Sequence, residues 1–212
     1  MCNLYDIGPT QDSTKASWEK VLEGALAGIA KLWNIRKTDP GVIVRLEDGS
    51  PQATTARWGF KRGEFSAINN ARDEKLTNYW NKPWSEGRRC LIPATAFYEW
   101  TGVRSHKRTH AIRQEDPNER LWMAGLWEDH AELGLCFTTL TTSANAFMKP
   151  IHEERMPVIL HAHELDDYLR RDDPMDLVKP YTGRLMSMVC ENPLRKGCTP
   201  GPPQSVAQHE LF

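Results

Sequence analysis

The chain has 212 residues, 40% of them apolar and 26% charged, and a formal net charge of −1. This is an ordinary soluble composition with enough chain for a sizeable core, and it exerts no global pull on nucleic acid, so any DNA binding must come from a local basic patch. It excludes a membrane span, because no apolar run is long enough, and a disulfide scaffold, because the five cysteines are scattered without a CxxC pair and read as reduced thiols.

The first residues, MCNLYDIGPT, carry neither a basic nor an apolar leader segment, so a cytoplasmic protein is expected, nucleoid-associated if bacterial. Cys2 follows the initiator methionine directly, and its small side chain favours removal of Met1. Cys2 then reads in two ways. It is a small buried hydrophobe, or an N-terminal 1,2-aminothiol. An α-amine titrates near pH 7.7–8.0, so roughly a tenth is neutral at pH 7. Such an amine condenses with an aldehyde, and the adjacent thiol closes the imine to a thiazolidine at high effective concentration.

Residues 12 to 32 place Trp18, Val21, Leu22, Ala25, Leu26 and Ile29 at helical spacing, predicting an amphipathic helix. GVIVRLEDGS and PQATTARWGF read as strands joined by an Asp-Gly turn. NARDEKLTNYW reads as a short helix after a loop. Within it Asn70 and Arg72 are either a solvated turn or an amide that orients a nucleophile beside a phosphate grip.

RRCLIPATAFYEWT predicts a strand, a proline-bearing corner and a second strand. Alternation puts Phe97, Glu99 and Thr101 on one face of that second strand. Glu99 is then an edge-strand surface residue, or a desolvated acid with a raised pKa. THAIRQ, LWMAGLWE, LCFTTLTT and MPVIL predict further strands, HELDDYLRR a helix and LMSMVC a last strand. His152, ahead of MPVIL, is a structural histidine or a proton shuttle. Residues 197–212, rich in Pro and Gly, read as a loose tail after a domain at 2–196. Many short strands with few helices predict a single α+β domain, its mixed and antiparallel sheets forming a barrel-like core flanked by helices.

Cys2, WGF at 58–60, NAR at 70–72, RRCLIPATAFYEW, MAGLW and IHEERMPVIL occur in this order, and together the chain resembles the SOS response-associated peptidase (SRAP) family of abasic-site processing proteins. The resemblance implies binding to single-stranded DNA containing an abasic site. It implies a thiazolidine crosslink between Cys2 and the lesion's aldehyde, which shields the lesion. By position, Asn70 orients the Cys2 amine and the sugar, Glu99 is the acid–base residue, and His152 moves the proton that opens the deoxyribose ring. Arg72 contacts phosphate, and Asn34 lies near the site.

The sequence departs from that family where Asn3 and Leu4 follow Cys2 in place of Gly-Arg. The segment after Phe60 is short and lacks the family's wedge residues. Lys61, Arg62 and Phe65, beside Trp58, are the expected substitutes on the DNA side. Arg57, Lys61, Arg62, Arg72, Arg88, Arg89, Arg104, Lys107 and Arg108 predict a basic groove. No cofactor and no metal is expected, since His161 and His163 lack a third ligand. A monomer is expected. A peptidase using Cys2, His152 and Glu99, and a non-covalent DNA-binding module, are the rival readings.

Overall fold

The structure is a computed structural model and describes residues 2–9, 17–103 and 107–206. In chain order its elements are β1 (Leu4–Asp6), α1 (Ser17–Gly28), β2 (Ile35–Arg36), β3 (Pro40–Glu47), β4 (Ser50–Trp58), β5 (Phe60–Arg62), β6 (Phe65–Ile68) and β7 (Asn70–Arg72). There follow α2 (Asn81–Ser85), β8 (Arg89–Ala94), β9 (Ala96–Thr101), β10 (Arg108–Gln114), β11 (Leu121–His130), β12 (Gly134–Ser143), β13 (Arg155–Pro157), β14 (Ile159–Leu160), α3 (Leu165–Arg170) and β15 (Leu185–Cys190).

Strands β12, β4, β3, β8 and β11 pair in sequence around a ring that closes when β11 pairs back to β12. Closure removes the open edges that an isolated sheet exposes. The ring is antiparallel except at β12, which runs parallel to β4, and β7 also joins β12 in parallel. A second sheet, in the order β15-β10-β9-β1-β2, is antiparallel throughout. The expected α+β architecture with a barrel-like core is therefore present.

Local sequence explains the main pieces. Asp48 and Gly49 both have positive φ, 49° and 75°, as a two-residue hairpin turn of the primed type requires. Glu47 consequently pairs with Ser50 and the register of β3 and β4 follows. β8 is buried along its whole length and β12 nearly so, which is why both read as continuous apolar or threonine-rich runs. Gly125 sits where β11 crosses β8 and β12; a Cβ there would lie 2.8 Å from Ile92 and from the Thr138 carbonyl oxygen.

Several expectations change. The helix expected from residue 12 is described from Ser17 to Gly28, its first five positions lying outside the described residues. NARDEK is not a helix: Asn70–Arg72 is strand β7, and only Asp73–Lys75 forms a single 3-10 turn. Long-range pairing of Ala71 with Leu140 overrides the local helix propensity. The corner between β8 and β9 is Thr95, whose backbone N–H donates to the Asp6 carbonyl, while Pro93 stays inside β8. MPVIL divides into β13 and β14, which pair with β12 and β11 respectively. Of the tail expected at 197–212, residues 207–212 lie outside the described residues; within the rest Ser205 bridges Cys190, and the Glu191 N–H donates to the Gln204 carbonyl.

Candidate functional site

β1 carries Cys2 into the main core, where the residue is completely buried. Its thiol donates to the Leu4 carbonyl oxygen at 3.4 Å. Burial, with the nearby Glu99 carboxylate adding to it, pushes the thiol up to about 12. The Cys2 carbonyl accepts two side-chain amides: Nδ2 of Asn70 at 2.9 Å and Nδ2 of Asn69 at 3.2 Å. Asn69 also donates to Asn3 Oδ1 at 3.0 Å. Asn70 Oδ1 is buried with no hydrogen-bond partner among the described residues, so it retains an acceptor for a group entering the site.

Asn69 was not marked by the sequence. The adjacent Asn70 falls in the NAR motif and drew the assignment. Strand geometry turns neighbouring side chains apart, but Asn69 precedes β7 and both amides converge on one carbonyl. Trp58 fixes Asn69 from below, its Nε1–H donating to the Asn69 carbonyl at 3.1 Å. This changes the reading of Trp58. Expected at the DNA surface, it is fully buried, edge-on to Tyr5 and stacked with Phe137. It supports the site without a face to offer a base.

Glu99 lies on β9 opposite His110 and is buried. Burial raises its carboxyl above the ordinary range. His152 is half-buried in the turn before β13, and desolvation lowers its imidazole below the usual value. The Arg155 backbone N–H donates to His152 Nδ1 at 3.2 Å, leaving Nε2 as the protonated nitrogen of the neutral ring. The Arg155 guanidinium in turn binds Asp73 at 2.8 Å, Glu74 at 2.9 Å and Thr141. The His152 turn is thereby tied to the residues immediately after Arg72.

Two open clefts carry chain neighbours of these groups. One, of about 430 Å³, is lined by Asn3, Phe65, Asn69, Asn70, Arg72, Lys75, Tyr79 and Trp80. The other, of about 610 Å³, lies between Trp100–Gly102 and Lys149–Glu153. Arg72 is half-exposed on the first cleft, 3.5 Å from Glu74. Asn34 takes a different place. It is buried at φ 56° with its backbone N–H on Asp6 and its amide 3.5 Å from the Pro193 carbonyl, shaping the approach of β1 to β2.

The expected basic groove is largely spent on the fold. Arg89 is buried and donates to the backbone carbonyls of Tyr168 and Trp84. Arg57 donates to Gly59 and Ser66 carbonyls. Lys61 pairs with Glu132, Arg62 with Glu128, and Arg88 with Glu86. Arg104 lies outside the described residues. Arg72 and Lys75 remain on the cleft. Among the described residues no group of three His, Cys, Asp or Glu is arranged to hold a metal, and His161 and His163 stack on each other. No helix among them is long and apolar enough to cross a membrane.

The pattern of the family described as SOS response associated peptidase (SRAP) matches residues 1–191. The abasic site processing protein YoaM of Bacillus subtilis is 39% identical over 102 residues, covering 45% of this chain and 44% of that one. The abasic site processing protein YoqW of Bacillus phage SPbeta is 35% identical over 125 residues, covering 53% and 54%. The abasic site processing protein HMCES of Xenopus tropicalis is 29% identical over 150 residues, covering 55% and 44%. The chain thus spans about half the length of the curated relatives it matches. Among solved structures, a protein of Bacteroides thetaiotaomicron superposes with TM-score 0.72 at 19% identity, covering 91% of this chain and 93% of its own. One of Bordetella bronchiseptica gives 0.72 at 23%, covering 90% and 100%. At these identities the likeness establishes the fold.

Proposed function

The chain belongs to the SOS response associated peptidase family, and from that premise we propose that it processes abasic sites by binding single-stranded DNA and joining Cys2 to the lesion's aldehyde as a thiazolidine. The observation that carries this reading is the clamp of Asn69 and Asn70 on the Cys2 carbonyl at the edge of a cleft holding Arg72 and Lys75. The clamp engages only the Cys2 carbonyl; the sulfur is buried and donates to the Leu4 carbonyl, a bond it gives up when it reacts.

The steps balance as a condensation. Loss of Met1 frees the Cys2 α-amine. The ring opens to its C1′ aldehyde as the anomeric hydroxyl loses a proton and the ring oxygen gains one, a transfer that His152 assists as donor or acceptor. The amine adds to the aldehyde carbon and water leaves, giving an imine. Glu99, kept protonated by burial over a wider pH range than an ordinary carboxyl, donates to the departing oxygen. The thiol sulfur then bonds to the imine carbon, and its proton ends on nitrogen. Net, one water is released.

A thiol pushed up to about 12 favours this order of events over a peptidase. A peptidase cysteine attacks as thiolate and needs a depressed pKa. Here the amine attacks first and the thiol follows intramolecularly. Phe65 serves the strand at the rim and Arg72 takes the phosphate beside the lesion, while Lys61 and Arg62 are held by Glu132 and Glu128, and Trp58 and Asn34 act by holding Asn69 and β1. Intact mass with and without an abasic single strand tests the proposal. The expected product is protein lacking Met1 plus strand less one water. A Cys2→Ala protein that gains the same mass at the same rate would overturn it.

A further inference from the structure

Building on that reading of a single strand at Cys2, we propose that the turn after β2 is a second phosphate-binding element, in which Arg36, with Lys37 beside it, holds a phosphodiester of the bound strand distinct from the one at Arg72. β1 and β2 run antiparallel, with Leu4 opposite Arg36 and Tyr5 opposite Ile35. Leu4 lies two residues beyond Cys2, so Arg36 stands beside the reacting end of the chain, on the side of β1 opposite to β9. Leu4 is completely buried, whereas Arg36, Lys37 and Thr38 are all exposed.

The turn is firmly held although it faces solvent. The Arg36 backbone N–H donates to Asp39 Oδ2 at 3.0 Å, and the Asp39 N–H donates back to the Arg36 carbonyl at 3.0 Å. The Thr38 N–H donates to the Trp58 carbonyl at 2.7 Å, and the Trp58 N–H to the Asp39 carbonyl at 2.9 Å. Thr38 is thereby fixed at φ 77°, a left-handed conformation that a β-branched residue seldom adopts. Such strain persists only where the surroundings over-determine the backbone, and it clusters at ligand-binding sites. Trp58 is also the residue whose indole fixes Asn69. One residue therefore sets both the turn and the clamp on Cys2, and a backbone set in advance loses little freedom on binding.

Charge selects the occupant. Lys61, Arg62 and Arg88 each meet a carboxylate, and Arg89 is spent on carbonyls. Arg36 and Lys37 meet no carboxylate among the described residues. The carboxylate within their own turn, Asp39, is engaged by Lys31 and by the Arg36 backbone N–H. Two adjacent exposed cations without an internal anion suit a phosphate, and the guanidinium presents paired N–H donors that match its oxygens. The turn carries no aromatic ring on which a base could stack, so the contact is to the backbone of the strand and is indifferent to its sequence.

The test is equilibrium binding of a labelled short single strand whose lesion position is a tetrahydrofuran, which has no aldehyde and forms no adduct. Affinity is followed between about 50 and 200 mM salt. Arg36→Gln should lower the slope of log affinity against log salt by about 0.7, the value for one phosphate on a single strand, with its deficit largest at low salt. Arg36→Lys should keep the slope. Arg88→Gln, which removes a cation already held by Glu86, should leave slope and affinity as they are. Neutral methylphosphonates, placed one at a time along the strand, then locate the contact. One position should weaken binding to the wild-type protein and not to Arg36→Gln, and it should differ from the position silenced by Arg72→Gln. An unchanged slope in Arg36→Gln, an equal drop in Arg88→Gln, or a single position silenced by both arginine variants would overturn the second phosphate site. The crosslinking reading fails separately: an Arg36-dependent slope in a protein that gains no mass from an aldehyde-bearing abasic strand supports the phosphate contact and sinks the adduct.

Discussion

Asn70 donates its side-chain amide to the carbonyl oxygen of Cys2 across 2.9 Å, although 68 positions separate the two residues. The bond fixes the end of the chain against β7, and Asn69 makes a second, longer bond to the same oxygen. Asn70→Ala removes the shorter bond and the buried Oδ1 together. Adduct formation with an abasic strand is expected to slow at least tenfold, because misplacing a reacting group by a fraction of its reach is costly in near-attack geometry. Stability should fall by only about 1 kcal/mol, the usual size of one hydrogen bond. A time course of intact mass, set beside thermal unfolding, separates the two effects. A wild-type rate in Asn70→Ala would show that the clamp does not serve the chemistry.

Glu99 and Cys2 predict a distinctive pH profile. Burial raises the Glu99 carboxyl, so its loss of the proton falls above the usual carboxylate range. Burial and the Glu99 charge push the Cys2 thiol up to about 12, so no thiolate titration contributes below that. The adduct rate should therefore rise with deprotonation of the α-amine and fall on a Glu99-dependent limb, with no limb near pH 8.5 from a free thiol. Glu99→Gln should lower the rate about a hundredfold, the lower bound for a positioned acid–base group, and remove its limb. Quench-flow sampling across pH 5 to 10 checks both features. A rate tracking thiolate formation near neutrality would point back to a nucleophilic cysteine of the peptidase type.

The strands were legible wherever burial on both faces wrote an apolar run, as in β8 and β11, or where a turn residue forced the chain back, as at Asp48-Gly49. Ring closure was not, because the parallel pairing of β12 with β4 and β7 joins segments about eighty or seventy positions apart that no local pattern connects. The site divides in the same way. Cys2, Asn70, Glu99 and His152 stood out as motif residues. Asn69 and Arg155 did not, since their place lies in what they touch across the fold. The run of cations from Arg57 to Arg108 misled because counting charge along a sequence says nothing of the carbonyls and carboxylates that meet it.

Arg155 joins both walls of the site. Its backbone N–H donates to His152 Nδ1, and its side chain binds Asp73, Glu74 and Thr141. Arg155→Met leaves Asp73 without its cation and Glu74 with Arg72 alone, and is expected to cost about 3 kcal/mol, near the low end for a broken buried pair because Glu74 is half-exposed. For a chain of this length that lowers Tm by about 6–12 °C. The adduct rate measured well below the new Tm should fall as well, because the His152 turn and the strand bearing Arg72 lose their common tie. Unchanged kinetics in a destabilised Arg155→Met protein would confine Arg155 to the fold.

Asp6 supplies the pH dependence of the fold itself. Its carboxylate oxygens accept the Asn34 backbone N–H and the Tyr98 hydroxyl, each at 2.6 Å, at the junction of β1, β2 and β9. Burial outweighs these two donors and raises the carboxyl to about 6. A carboxyl raised above its unfolded value favours the folded state most when protonated. The contribution is therefore full below about pH 4 and is lost as pH rises through 6. A shift of about two units corresponds to about 3 kcal/mol. Asp6→Asn keeps the shape and removes the titration, so the wild-type stability should decline relative to the variant between pH 4 and 6.5 and run parallel to it above 7. Urea unfolding of both proteins at half-unit pH steps measures the difference. Curves that stay parallel across the whole range would mean that the donors at Asn34 and Tyr98 offset the burial of the charge.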